Sequence, residues 1–127
     1  MIARRPPRKR LLIVDDDAGL CQMLAWEFED LGYDVELAYD CREGGRCLSD
    51  RRFDAILLDY HLPDGNGVSL MRQMRHRQPG AVWGLMSADS VNGGLPGCLQ
   101  HPPVMPFFAK PVSPLAVDAE LAAMVPA

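Results

Sequence analysis

A chain of 127 residues, 48% hydrophobic and 24% charged, has the size and make-up of one globular domain and is too short for two. Its longest apolar run near the N-terminus, Leu11-Leu12-Ile13-Val14, falls far short of a membrane-spanning helix or an export-signal core, which excludes a membrane span and points to the cytoplasm. The net charge of −4 is uneven: five of the 13 basic residues lie in the first ten positions, leaving eight against 17 acidic residues in 11–127, a poor electrostatic match for nucleic acid.

Residues 1–9, with Arg4, Arg5, Arg8, Lys9 and a Pro6-Pro7 pair, read as a flexible basic arm ahead of a domain over 10–127. Leu11 to Val14 is too short for a helix and stops at Asp15-Asp16-Asp17, as a fully buried strand does. Leu20, Leu24, Phe28 and Leu31 then share one helical face, closed by Gly32. Val35 to Ala38 is a second strand, and Asp40 with Glu43 opens a second helix. Gly44-Gly45 weakens that helix by about 1 kcal/mol each relative to alanine.

Ala55 to Leu58 is a third buried strand ending on Asp59, and Pro63 to Gly67 is a turn cluster before a helical stripe at Val68, Met71 and Met74. Val82 to Met86 forms a fourth strand ending on Ser87. Phe107 to Ala109 forms a fifth ending on Lys110, with Pro106 tolerable at a sheet edge or strand start. Ser113 caps a last helix with Pro114 at its first position and a buried face of Val117, Leu121, Met124 and Val125. Between Ala88 and Pro103 the helical spacing of Val91, Leu95, Cys98 and Leu99 collides with Gly93, Gly94, Pro96 and Gly97. Proline inside a helix costs roughly 3 kcal/mol, so a short, bent or partly unwound fourth helix is expected. Strands alternating with amphipathic helices predict an α/β fold, a parallel sheet with helices on both faces.

In such a sheet ligands bind beyond the carboxyl ends of the strands. Asp15, Asp16, Asp59, Ser87 and Lys110 all follow strands. Clustered carboxylates repel unless a cation joins them, and an oxygen-only set favours Mg2+. Lys110 can offset the charge of a phosphoryl group. The same residues have plainer readings: Asp15 to Asp17 as a helix cap, Ser87 as a hydroxyl satisfied by backbone, Lys110 as a surface cation. A calcium loop over Asp59 to Gly67 fits poorly, with His61 and Pro63 where oxygen ligands belong. A haloacid-dehalogenase-like phosphatase would need an aspartate where His61 stands. The four cysteines form no C-x-x-C pair and the three histidines complete no zinc pattern, so free thiols are expected. Trp26 and the seven methionines are expected to fill core gaps or partner surfaces.

Four segments in order, Leu12 to Asp17, Leu57 to Gly67, Met86 to Asp89 and Ala109 to Pro111, resemble the receiver domain of two-component response regulators across roughly residues 10–125. The resemblance implies a flavodoxin-like, doubly wound five-stranded sheet in the order 2-1-3-4-5. Asp59 then corresponds to the phosphoacceptor, taking its phosphoryl group from a sensor histidine kinase or histidine phosphotransfer protein. Asp16, Asp59 and the His61 backbone carbonyl correspond to direct Mg2+ ligands, and Asp15 to a partner acting through water. Lys110 corresponds to the phosphoryl-contacting lysine, Ser87 to the switch hydroxyl and Phe107 to the aromatic switch residue. His61 and Asp89 stand where this family tunes phosphoryl lifetime.

The implied protein is a stand-alone phosphoacceptor that assists its own phosphorylation and dephosphorylation and is not otherwise an enzyme. Its output is a downstream protein contact, a relay or a phosphate sink, and nucleic acid is not expected as a partner. The rival readings are a pseudo-receiver that binds protein without phosphoryl turnover and a small Mg2+-dependent phosphatase. Gly93, Gly94, Pro96, Gly97 and Pro102-Pro103 rewrite a face that this family commonly uses for dimerisation, so the usual dimer is not expected.

Overall fold

The computed structural model describes residues 8–88 and 105–124. Strand β1 (Lys9–Val14) leads into α1 (Ala18–Asp30), then β2 (Tyr33–Ala38), α2 (Cys41–Asp50) and β3 (Ala55–Asp59). A short hairpin, β4 (His61–Leu62) and β5 (Gly65–Asn66), precedes α3 (Gly67–Met74) and a 3-10 turn (Arg75–Arg77). The chain continues through β6 (Val82–Ser87), β7 (Phe107–Ala109) and α4 (Pro114–Met124). Five strands form one sheet in the order β2-β1-β3-β6-β7, parallel throughout. With the hairpin set aside, this is the expected order 2-1-3-4-5.

The unbroken apolar runs of β1 and β3 follow from burial on both faces. Leu12, Val14, Ile56 and Leu58 point into one core, closed by Leu48 of α2 and Val68, Leu70 and Met71 of α3. Leu11, Ile13, Ala55 and Leu57 point into the other, closed by Cys21, Leu24 and Phe28 of α1 and Val117 and Leu121 of α4. Each fully buried Leu or Ile contributes roughly 1.5–3 kcal/mol, so these two central strands anchor the sheet.

The helix starts are where the capping residues lie. Asp17 accepts from the Leu20 amide at 3.0 Å, Asp40 from the Glu43 amide at 2.7 Å, and Ser113 Oγ from the Ala116 amide at 3.3 Å. Pro106 precedes β7, which among the described strands pairs with β6 at the sheet edge, where a missing N–H at the strand start is tolerated.

One side-chain expectation is corrected. Leu31 is exposed, not part of the α1 stripe, because α1 ends at Asp30 and Leu31 is its cap. Gly32, at φ 98°, turns the chain there, while Cys21 and Ala25 complete the buried face. Trp26, expected in a core gap or on a partner surface, is 63% exposed, which leaves the second of the two. Cys21, Cys41 and Cys47 are free thiols. Apart from Ala88, the irregular helix expected between Ala88 and Pro103 lies outside the described residues. So do Asp89, Cys98, Val125 and the side chain of Met124. Among the described residues no helix is long and apolar enough to cross a membrane.

Candidate functional site

Parallel pairing carries the strand ends to one side of the sheet. Val14 pairs with Leu58, Asp59 with Met86 and Ser87 with Ala109, so the residues at and just after these positions become neighbours. Asp15 is fully buried; its amide donates to the Ala38 carbonyl at 3.0 Å, and its Oδ1 accepts from the Asp17 amide at 2.9 Å. Asp59 and Ser87 are also buried, while Asp16 is exposed. One carboxylate oxygen from each of Asp15, Asp16 and Asp59 lies within 4.8 Å of the others.

Lys110 closes the cluster from β7. Its backbone N–H donates to the Ser87 carbonyl at 3.0 Å. Its Nζ stands 2.7 Å from Asp15 Oδ2 and 3.2 Å from Asp59 Oδ2. Burial alone would pull this ammonium down, but Asp15 and Asp59 together hold it above the usual lysine value. Burial pushes the Asp59 carboxyl above its ordinary range, and Asp15 adds to the rise. Lys110 and the His61 backbone amide, which donates to this carboxylate, pull the other way without cancelling it.

The surroundings shape the same few groups. The backbone closes tightly behind Asp59, where a Cβ added at Gly67 would lie 2.5 Å from the Asp59 carbonyl oxygen; only glycine admits α3 this close. The exposed His61 sets its ring edge-on to Tyr60 at 4.8 Å. Phe107 is half-buried, pairs with Leu85 and packs against the α2–α3 core.

The donor set fits a hard divalent cation. All three groups are oxygens, and buried Asp15 Oδ2 faces Lys110 without receiving a well-aligned hydrogen bond. One ammonium does not balance three carboxylates, and Mg2+ favours this all-oxygen chemistry.

The model of the response regulator receiver domain matches residues 11–121, most of the chain. The chain belongs to the response regulator receiver family. Receivers are the phosphoacceptor signalling domains of two-component systems. Response regulator ArlR of Staphylococcus saprophyticus is 38% identical over 69 residues, 54% of this chain and 31% of the relative. The chain spans between 23% and 50% of the length of the first curated relatives, some of which are transcriptional regulatory proteins.

Among solved structures, the receiver domain of the Pseudomonas aeruginosa sensor histidine kinase PA1611 has a TM-score of 0.80 and 26% identity. The likeness covers 94% of this chain and 98% of that one, which holds a magnesium ion in its active site cleft. A Burkholderia pseudomallei response regulator with a phosphorylated aspartic acid and a calcium ion has a TM-score of 0.80 and 25% identity. It is matched over 89% of this chain and 66% of its own. The acidic cluster of this receiver is thus a divalent-metal site in its donor chemistry and in its likeness to metal-holding receivers.

Of the expected site residues, Asp15, Asp16, Asp59, Ser87 and Lys110 gather at one end of the sheet, with the His61 backbone amide at Asp59; Phe107 lies further back on β7, paired with Leu85, and Asp89 is outside the described residues. Two neighbours had no sequence signal. Cys21 Sγ lies 3.2 Å from the Asp15 carbonyl, and burial with the nearby carboxylates pushes its thiol up to about 12; in the sequence it is one apolar position of α1. Asp64 reads there as a turn former in Pro63-Asp64-Gly65.

Proposed function

We propose that Asp59 accepts a phosphoryl group from a phosphohistidine of a sensor histidine kinase or histidine phosphotransfer protein. A changed surface is then read by a downstream protein. The observation that carries this reading is the meeting of a buried carboxylate with the Lys110 ammonium, 3.2 Å apart, beside two further carboxylates within 4.8 Å. Positioning and charge stabilisation are what phosphoryl transfer demands of a protein.

In the proposed step an Asp59 carboxylate oxygen bonds to phosphorus while the phosphorus–nitrogen bond of the donor breaks. The donor imidazole leaves with the electron pair, and Asp59 becomes an acyl phosphate. Lys110 already lies beside both Asp15 and Asp59, so it offsets charge on the phosphoryl oxygens without being recruited. Asp16, Asp59 and the His61 carbonyl would hold Mg2+ directly, and Asp15 through water. When bound, the cation neutralises charge on the transferring group. Ser87 at the end of β6 donates a hydrogen bond to a phosphoryl oxygen, and Phe107 on neighbouring β7 reports the change through its rotamer. His61 and Asp89 tune the phosphoryl lifetime by controlling the approach of water.

The same reading makes the chain a cytoplasmic phosphoacceptor that promotes its own chemistry and acts on no separate substrate. The basic residues ahead of β1 form an arm, and the receiver begins with Lys9, the first residue of that strand rather than the last of the arm. The acidic body argues against direct contact with nucleic acid, leaving a protein as target.

Incubating the chain with a small phosphodonor and Mg2+ and weighing the intact protein tests the assignment. Wild type gains one phosphoryl group, and Asp59→Asn gains none. Equal uptake by both would exclude Asp59. A wild type that gains nothing from several donors or from a phosphorylated histidine partner would leave a pseudo-receiver.

A further inference from the structure

Asp64, at the turn of the β4–β5 hairpin, has an unusual pair of partners. One carboxylate oxygen accepts from the Cys41 amide at 2.7 Å and the other from the Arg42 amide at 3.1 Å. These are the first two amides of α2, which lack partners within their own helix. Asp40 takes the Glu43 amide instead, so two carboxylates from distant parts of the chain divide the α2 terminus between them.

We propose that Asp64 is a positioning residue: by gripping α2 it holds the hairpin that presents the His61 backbone to Asp59 and to a bound divalent cation. This rests on the metal reading above. The path is short and closed. His61 pairs with Asn66 and Leu62 with Gly65, so the four hairpin residues move together. Gly65 lies against Cys41, where an added Cβ would come within 3.2 Å of the sulfur. Leu62 is buried, and the Gly67 amide donates to the Tyr60 carbonyl at 3.0 Å, fixing the hairpin base. At its other end the His61 amide donates to the Asp59 carboxylate. Without Asp64 the turn keeps its inner anchors and loses its outer one. Hydrogen bonds to a charged acceptor at a helix N-terminus are among the stronger ones, and the Cys41 amide, with Arg42, holds the Asp64 carboxyl below its ordinary value.

A plain helix cap and a positioning residue make different predictions, and Asp40 provides the control because its side chain caps α2 through the Glu43 amide, within its own helix. Mg2+ affinity of the unphosphorylated full chain is measured by calorimetry, alongside exchange of the His61 amide in metal-free protein. Asp64→Ala weakens Mg2+ binding about ten-fold, the lower end of what outer-shell partners of metal ligands are worth, and speeds His61 exchange. Asp64→Asn, with one acceptor oxygen left, falls between it and wild type and keeps the test valid should the alanine variant fold poorly. Asp40→Ala lowers the melting temperature while leaving Mg2+ affinity and His61 exchange at wild-type values. Unchanged affinity in Asp64→Ala, or an equal loss in Asp40→Ala, would overturn the proposal. A wild type that binds no Mg2+ at millimolar concentration would sink the metal reading itself, with the proposal resting on it.

Discussion

Asp59 is where one residue's chemistry competes with the stability of the fold. Burial, then Asp15, raises its folded-state pKa, so the folded chain binds this proton more tightly than the unfolded chain does. The group therefore opposes folding at neutral pH, and the opposition fades as pH falls through the interval between the raised and the ordinary value. The Lys110 pairing has the opposite sign: its raised pKa favours folding at every pH below the ordinary lysine value, so it is constant across this acidic window. The metal-free melting temperature of Asp59→Asn relative to wild type should accordingly be most favourable near pH 7 and decline on acidification. A difference independent of pH would show that Asp59 titrates normally. Gly67, behind Asp59, offers a steric test of the same corner. Adding a methyl group 2.5 Å from the Asp59 carbonyl oxygen forces α3 or β3 to move, and Gly67→Ala should cost about 1–3 kcal/mol in denaturant unfolding.

Among the elements, α2 shows what sequence spacing carries and what it does not. Gly44 and Gly45 look equally weakening in the sequence. In the fold, a Cβ at Gly44 would lie 3.0 Å from Leu70 and 3.1 Å from Val14, while one at Gly45 would have its nearest neighbour at 3.8 Å. Gly45→Ala should therefore stabilise by about 0.5–1 kcal/mol through helix propensity. Gly44→Ala should gain nothing or lose, and equal gains in chemical unfolding would contradict this packing.

The far end of α2 depends on Gln78, buried beyond α3. Its Oε1 accepts from the Phe53 amide at 3.0 Å, and its Nε2 donates to the carbonyls of Leu48 at 2.8 Å and Arg51 at 2.5 Å. Gln78→Leu strips partners from buried backbone groups and should cost about 3 kcal/mol. Strands and caps were legible because their signals are local: apolar runs ending on aspartate, and Asp40 three residues before Glu43. Gln78 and Asp64 were not, since each acts on backbone more than 20 residues away; in the sequence Asp64 only marks a turn and Gln78 carries no signal. Leu31 misled for a related reason, its helical spacing continuing one residue past the helix.

At the scale of the whole molecule, the sheet keeps its two cores apart and gathers its charge beyond one end. Strands β1 and β3, buried on both faces, supply Asp15 and Asp59, while Lys110 follows β7, a three-residue edge strand. The helix after it is tied back by Tyr33, whose hydroxyl donates to Asp118 at 2.5 Å. The buried carboxylates are thus set by the two strands buried on both faces, and their counter-charge comes from the edge. Any cation that binds the folded cluster and not the unfolded chain must stabilise the fold by mass action, by about 2.7 kcal/mol at a hundred times its Kd. For a domain of this size that is roughly 8–12 °C in melting temperature. Mg2+ should produce this rise in wild type and much less in Asp59→Asn, where a carboxylate oxygen of the cluster is replaced by an amide. Because β7 pairs with β6 among the described strands, the added protection should reach the Lys110 amide, which donates to the Ser87 carbonyl, as well as β3. A thermal scan with amide exchange measures both effects. An equal Mg2+ shift in Asp59→Asn would mean that the ion binds elsewhere on this acidic chain.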